Sequence, residues 1–396
     1  MRVVLVVVLV GVIAAGSVTA VFLYKAQKKS EQAQNAVELA ASFLEQGKVE
    51  DAVNVLSPIY KTYPRFKAMD RVVYLLATAY ERTGSDHAPA LWRQLAENFP
   101  QSPYHAPAAL AWARSLVASD PSRARTILEP LLALQDRETA AAALAARAAT
   151  FLTEKNTAEA RALYQQILER YPGTTAEEEA FDQLSEITMR IFFSPELDEF
   201  TKLYQVKPGD SVHKIAIENH TTRDLVMRLN GIATDIRPGQ QIKIPNTEFK
   251  IVIDKSRLRI FLLTADGRFV KWYPVGIGTT DYKTPAGLYQ VKEKQIDPTW
   301  YKPGGGVIPS GDPENALGPR WIGIGQHLGI HGNNDPSSVG QRASAGCIRM
   351  LNDDVKELYE IITIGNEVRI VDRFDLAGAQ QASEKRNISS ATEEAR

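Results

Sequence analysis

The sequence predicts a multidomain chain: an N-terminal transmembrane helix, an all-α helical-repeat solenoid, a small βααβ module and a mostly-β domain. Three observations carry that reading. No charge occurs across the 22 positions from Val3 to Tyr24. Alanines and larger apolar residues then recur at intervals of 36 residues. From Phe249 the apolar period changes to two, the spacing of a half-buried strand. A length of 396 residues suits two to four domains, and a net charge of −1 speaks against nucleic acid or a polybasic membrane surface as partner.

The apolar run, residues 3–24, spans about 33 Å as a helix at roughly 1.5 Å per residue, enough for a hydrocarbon core. A cleavable signal peptide has a shorter apolar core of about 7–15 residues, so an uncleaved anchor is expected, although Val18-Thr19-Ala20 has the form of a cleavage site. No cysteine lies near the span to take a lipid. Arg2 precedes it while Lys25, Lys28 and Lys29 follow, so flanking charge alone favours keeping the remainder inside.

Residues 30–190 read as repeated helical hairpins. Ala52, Ala88, Ala124 and Ala160 keep one register, and Ala41, Ala77, Ala113 and Ala149 a second. Ile59, Leu95, Leu131 and Ile167 follow the same period. Tyr63-Pro64, Phe99-Pro100 and Tyr171-Pro172 close three of the four units, and Gln135-Asp136 replaces the pair in the third. Small residues let paired helices approach, and proline stops the second helix. The pattern resembles tetratricopeptide repeats, whose usual period is about 34. Such an array serves either as a rigid spacer or as a concave surface for a protein partner.

After a linker at residues 192–200, a small module occupies residues 202–246. Tyr204-Gln205-Val206-Lys207-Pro208-Gly209-Asp210-Ser211 gives a strand and a turn, two short helices follow, and Arg237-Pro238-Gly239 precedes a second strand. The stretch resembles a LysM domain, which implies binding of N-acetylglucosamine-containing glycan strands. The resemblance places contacts at Gly209, Asp210 and Ser211 and at Asn230, Gly231 and Ile232. Turn geometry alone also accounts for Gly209 and Asn230.

Residues 249–372 form the mostly-β domain. Ile251, Ile253, Leu258, Ile260 and Leu262 alternate with polar residues, and Asp266-Gly267 marks a hairpin turn. The stretch from Gln295 to Leu317 is long and rich in Gly and Pro, and is expected to act as a lid. Asn352 is expected to cap a helix, with Asp353 and Asp354 in its first turn. Residues 374–396 are polar, aperiodic and expected to be disordered.

This domain holds Cys347, the sole cysteine, with His331 sixteen residues upstream at the end of an apolar run. A thiol attacks as thiolate, and a neighbouring imidazole can take its proton. Gly346 permits close backbone approach, so the amides around Gly346 and Cys347 suit an oxyanion hole. A buried, inert cysteine is the competing reading. A second imidazole, His327, lies four residues before His331. In one extended strand the two would share a face roughly 13 Å apart, at about 3.3 Å per residue, so only one reaches the thiol.

His331-Gly332 followed by Ser344-x-Gly346-Cys347-Ile348-Arg349-Met350 resembles the signature of the L,D-transpeptidase (YkuD-like) catalytic domain. Thr284-Pro285-Ala286-Gly287 and Leu317-Gly318-Pro319-Arg320-Trp321-Ile322-Gly323 extend the likeness. Ala345 departs from it, since the family usually has His or Arg there. The resemblance implies a peptidoglycan L,D-transpeptidase forming 3→3 cross-links between stem peptides through a cysteine thioester. Cys347 would be nucleophile, His331 base and then acid, and the Gly332 carbonyl the orienter of the imidazole. Arg349, Ser344, His327, Trp321 and Tyr301 would bind substrate. An L,D-carboxypeptidase using the same site, or a non-catalytic wall-binding scaffold, are the alternatives. A single Cys and scattered His give no ligand cluster, so neither metal nor cofactor is expected. These domains belong outside the cytoplasm, which sets the expected orientation of the anchor against its flanking charge.

Overall fold

The structure is a computed structural model that describes residues 30–232, 235–302, 304–376 and 378. The segment 3–24, read as a membrane anchor, and most of the tail 374–396 lie outside the described residues. Among the described residues no helix is long and apolar enough to cross a membrane. The chain divides into two compact units, Met1–Leu163 and Tyr164–Arg396.

Among the described residues the first unit is all helical: α1 (residues 30–45), α2 (Val49–Thr62), α3 (Met69–Arg82), α4 (Ala88–Asn98), α5 (His105–Leu116), α6 (Pro121–Leu128), α7 (Arg137–Thr153) and the start of α8 (Thr157–Arg170). The recurring alanines sit where helices meet: Ala52, Ala77, Ala88, Ala113 and Ala124 are all buried. Without a side chain beyond Cβ, they let backbones close in while Leu56, Leu76 and Leu95 fill the space between. Where the third repeat lacks its aromatic–proline pair, a 3-10 turn (Glu129–Ala133) ends the helix. Asp136 then caps α7 by accepting the Thr139 amide at 3.1 Å.

In the second unit, α9 (Thr175–Phe192) packs on a β-sheet. Its Phe181 ring lies 5.2 Å from Phe261 and 5.3 Å from Phe269. Glu177 pairs with Arg257 at 3.1 Å, and Asp182 accepts the Trp272 indole N–H at 3.0 Å. The sequence pattern assigned this stretch to the helical repeats, but a period cannot say what covers a helix face.

The small module is β1 (Thr201–Gln205), α10 (Val212–Glu218), α11 (Arg223–Asn230) and β2 (Gln241–Pro245), with β1 and β2 antiparallel. It shares a core with its neighbours. Leu225 and Leu229 of α11 are buried in one cluster with Phe192, Phe200 and Phe249, while Val226 faces the module's own interior. Buried Lys243 donates through Nζ to the carbonyls of Ile191 (3.2 Å), Ser194 (3.0 Å) and Glu196. These carbonyls belong to the last turn of α9 and to the chain that leaves it. The expected linker at 192–200 is therefore pinned.

The remaining strands are β3 (Phe249–Asp254), β4 (Arg259–Thr264), β5 (Phe269–Gly278), β6 (Gly287–Gln290), β7 (Glu293–Ile296), β8 (Trp300–Tyr301), β9 (Val307–Ile308), β10 (Arg320–Gly325), β11 (Leu328–His331), β12 (Arg342–Ser344), β13 (Ile348–Met350) and β14 (Glu367–Val371). Their main order is β6-β14-β3-β4-β5-β13-β11-β10-β7. The two end strands, β6 and β7, are separated in sequence only by Val291 and Lys292. A sheet whose opposite edges are joined by two residues must curl on itself. Its interior holds Ile251, Ile260, Val275, Ile330 and Ile348, and α12 (Asn352–Ile361) covers part of it with Val355 and Leu358.

The stretch 295–317, expected to act as a lid, has structure of its own: Gln295 lies in β7, and β8 and β9 form a two-stranded ribbon. Buried Asn315 ties its base, donating to the carbonyls of Pro298 (2.9 Å) and Pro309 (3.1 Å). The polar tail also begins later than its composition indicates. Phe374 and Leu376 are buried, and the Phe374 amide donates to Asp254 Oδ2 at 2.9 Å.

Replacing Lys243 by Met keeps most of the buried stem and removes three charge-assisted bonds. We expect the urea midpoint of the second unit to fall by the equivalent of at least about 2 kcal/mol. A midpoint equal to wild type would show that water replaces the lost partner.

Candidate active site

The site is built on the hairpin β10–β11 and the neighbouring strand β13. β10 and β11 are antiparallel with Trp321 opposite His331, and β11 and β13 are parallel with His331 beside Arg349. Alternation along the strands sends Ile330 and Ile348 into the core and His331 and Arg349 to the other face. Cys347, one residue before β13, falls on that same face by the same alternation.

The Cys347 turn is held from two sides. Buried Ser344 donates through Oγ to the Cys347 carbonyl at 2.6 Å and accepts the Gly346 amide at 3.1 Å. Buried Thr284 donates through Oγ1 to the Gly346 carbonyl at 2.7 Å and accepts the Gly278 amide at 2.9 Å. Gly346 has φ +117°, a conformation that side chains rarely adopt.

His331 is held through Nδ1, which lies 2.7 Å from the Gly332 carbonyl. A carbonyl only accepts, so Nδ1 carries the proton and Nε2 is the free base. The Gly332 peptide is itself wedged. A Cβ there would come within 2.4 Å of Asn352 Oδ1 and 2.8 Å of Pro319 Cδ. Asn352 Oδ1 accepts the Asn333 amide at 2.9 Å, which fixes the chain just beyond the base. Asn352 thus belongs to the site and does not cap its own helix, where Leu351 is the N-cap residue.

Trp321 lies beside the imidazole, with ring centroids 5.7 Å apart and planes 25° apart. Its six-membered ring fills the place of a Gly329 side chain, since a Cβ at Gly329 would sit 2.3 Å from Cη2. Its Nε1 donates to Glu293 Oε1 at 2.8 Å.

Burial favours the neutral form of both His331 and Cys347. Burial pushes the His331 imidazole down to about 4, with nearby Arg349 adding to the effect, although the carbonyls of Gly332 and Ala316 oppose it. Burial also raises the Cys347 thiol, against the Gly329 amide and Arg349, which favour the thiolate. The thiol donates to the His327 carbonyl at 3.8 Å. Arg349 is half-buried, and the ion pairs of the described residues do not include it.

Comparison with known proteins gives this geometry a family. The L,D-transpeptidase catalytic domain (YkuD) matches residues 248–370, the LysM domain residues 204–245, and a tetratricopeptide repeat residues 131–174. The YkuD protein of Bacillus licheniformis is 35% identical over 177 residues, covering 42% of this chain and 98% of that protein. The chain belongs to the YkuD L,D-transpeptidase family. The ErfK/SrfK protein of Escherichia coli K12 is 34% identical over 148 residues, covering 34% of this chain and 48% of that one. Among solved structures, the catalytic domain of the E. faecium L,D-transpeptidase is 23% identical, with 32% of this chain and 98% of that chain covered and a TM-score of 0.27.

Within this L,D-transpeptidase domain the sequence-predicted residues separate into groups. Cys347, His331, Gly332, Gly346 and Arg349 come together on adjoining strands and turns. Ser344 is buried and holds the turn from within, so its hydroxyl does not face a substrate. His327 is not on a strand. With Gln326 it makes the β10–β11 turn, at φ +62° and +53°, and its ring is exposed while its carbonyl meets the thiol. Trp321 lies against the base. Tyr301 stands 74% exposed on the β8–β9 ribbon.

In the LysM module the predicted glycan residues also serve the fold. Asp210 accepts the Lys207 amide at 2.8 Å and the Tyr204 hydroxyl at 2.9 Å, and Ser211 caps α10. Asn230 exchanges two 2.7 Å bonds with the Lys243 backbone, and Ile232 packs on the module's core. Gly209 and Gly231 have φ +83° and +58°. Sequence reasoning assigned no role to Thr284, Gly329, Asn333 or Glu293. Their work depends on contacts between residues far apart in the chain, for which spacing gives no signal.

Two outcomes are expected. His331 is neutral when folded down to about pH 4, whereas its unfolded counterpart takes a proton near 6.5. Between those values the unfolded state binds more protons, so this histidine's contribution is complete above about 6.5 and is lost as pH falls towards 4, about 3 kcal/mol in all. Urea titrations of wild type and His331→Gln from pH 7 to 4 should converge by roughly that amount. Gly332→Ala, which forces a methyl against Asn352, should lower acylation of Cys347 at least about 10²-fold by displacing the orienting carbonyl. Stopped-flow acylation at the wild-type rate would contradict it.

Proposed function

We propose that this chain is a peptidoglycan L,D-transpeptidase that forms 3→3 cross-links through a thioester on Cys347. The observation that carries the reading is one arrangement. An imidazole with Nδ1 fixed on the Gly332 carbonyl lies on the strand beside the Cys347 turn, with Arg349, which has no ion pair among the described residues, on the same face. The family and the LysM module support a wall substrate, and a wall substrate places the work outside the cytoplasm.

His331 Nε2 takes the Cys347 proton as sulfur attacks the carbonyl carbon of the third stem residue. Because both groups rest neutral, proton transfer and attack are coupled, and the thiolate forms where its charge is immediately used. The Gly346 amide is engaged by Ser344, so the Cys347 amide is the donor assigned to the oxyanion. The imidazolium gives its proton to the leaving amine of the terminal D-alanine as the C–N bond breaks. The side-chain amine of a second stem then attacks the thioester. His331 takes a proton from that amine, the new amide forms, and the thiol is restored. Arg349 presents a two-pronged guanidinium suited to the D-alanine carboxylate.

Incubating the protein with disaccharide-tetrapeptide and weighing the products tests this directly. Cross-linked dimer with release of D-alanine is expected, together with a tripeptide–enzyme adduct that Cys347→Ala abolishes. Tripeptide alone would make it an L,D-carboxypeptidase. Unchanged substrate with folded wild type would leave the chain a wall-binding scaffold.

A further inference from the structure

Four strands set side by side make the floor of this site, and their register is unusual in one respect. Gln295, Trp321, His331 and Arg349 form one cross-strand row, and Glu293, Gly323 and Gly329 form the next. Two adjacent positions in the second row therefore have no side chain. The indole of Trp321 lies down in that trough: its Cη2 would be 2.3 Å from a Cβ at Gly329, and its Nε1 3.0 Å from one at Gly323. At the end of the trough Glu293 accepts the indole N–H at 2.8 Å. The ring is thus immobilised with its face towards the imidazole, in the stacked geometry already described.

We propose that Trp321 is a positioning residue for the base: its indole face, fixed by Glu293, stabilises the imidazolium that His331 becomes when it takes the Cys347 proton. The proposal rests on the Cys347–His331 reading and assigns Trp321 to the acid–base step, not to substrate binding. A cation within about 6 Å of an indole centroid is attracted by the ring's negative face, more so when desolvated. His331 is desolvated, since it is only 4% exposed. A carboxylate on the indole N–H pushes electron density into the ring and strengthens that face. The site otherwise opposes the cation. Arg349 lies beside His331 on β13, and burial penalises charge. The groups facing the ring in its favour are the Gly332 and Ala316 carbonyls. Without the indole, the proton transfer that accompanies attack has only those two carbonyls to support it.

The test separates a role on the base from a role on substrate or fold. Saturable acylation by a carbapenem, followed by stopped flow, gives the affinity and the rate constant at saturation. Alkylation of Cys347 by iodoacetamide reports on the thiol without a substrate pocket. Trp321→Leu should lower both the saturated acylation rate and the alkylation rate about tenfold, with the carbapenem dissociation constant unchanged. Trp321→Phe, which keeps a weaker aromatic face, should recover part of each, and Glu293→Gln should lose about threefold. Equal losses in the Phe and Leu variants, or losses confined to the dissociation constant, would overturn the proposal. So would wild-type rates in Trp321→Leu. Failure of wild-type protein to acylate, or an adduct persisting in Cys347→Ala, would instead overturn the parent reading of the site. Should Trp321→Leu not fold, the Phe and Gln variants decide the matter by the same two rates.

Discussion

The bond from His331 Nδ1 to the Gly332 carbonyl is the constraint on which the site depends. It selects the tautomer, and the tautomer decides that Nε2 is the nitrogen that can accept a proton. A backbone acceptor does this at lower electrostatic cost than a carboxylate would. It orients the ring without adding a charge to a buried pocket, so the imidazole stays neutral until it is needed. The cost is transferred to backbone placement. Gly332 and Gly318 must lie close to Asn352 and to each other, and neither position tolerates a Cβ. Asn352 comes from a helix, Gly318 from the chain before β10 and Gly332 from the end of β11, so three elements must arrive together before the imidazole is aimed.

Cys347 is held in the same way. Thr284 holds the carbonyl of the Gly346–Cys347 peptide and Ser344 that of the next peptide, which fixes the direction of the Cys347 amide. Neither hydroxyl touches the sulfur. The thiol is left with weak partners, a carbonyl at 3.8 Å and the Gly329 amide, and burial keeps it protonated. A resting pair of neutral groups is less exposed to oxidation and stray electrophiles than a thiolate would be.

Much of this was legible in the residues. The 36-residue recurrence located the buried alanines, and the change to period two located β3 to β5. The Cys347 motif, with its resemblance, pointed to the turn and strands on which Cys347, His331 and Arg349 adjoin. What was not legible has a common cause. Ser344 read as a substrate contact because a hydroxyl beside a nucleophile has two directions to point, and only the fold of the turn decides. His327 was placed on a strand because Gln326-His327 lacks the Asn or Gly that usually announces a turn with positive φ. Helix α9 belonged by pattern to the repeats and by contact to the sheet. Phe374 and Leu376 were two apolar residues in a polar tail, too few for any period.

The shared core of the second unit has a mechanical consequence. Phe192 of α9, Leu225 and Leu229 of the LysM helix, and Phe249 of the first catalytic strand are buried in one cluster. Thr222 and Arg228 of α11 also bond to Glu360 of α12. Force applied to the LysM module therefore has no slack tether to straighten before it reaches the catalytic sheet. It must shear packed side chains and ion pairs together. The module acts as a handle welded to the tool, and whatever direction it is pulled in, the sheet turns with it.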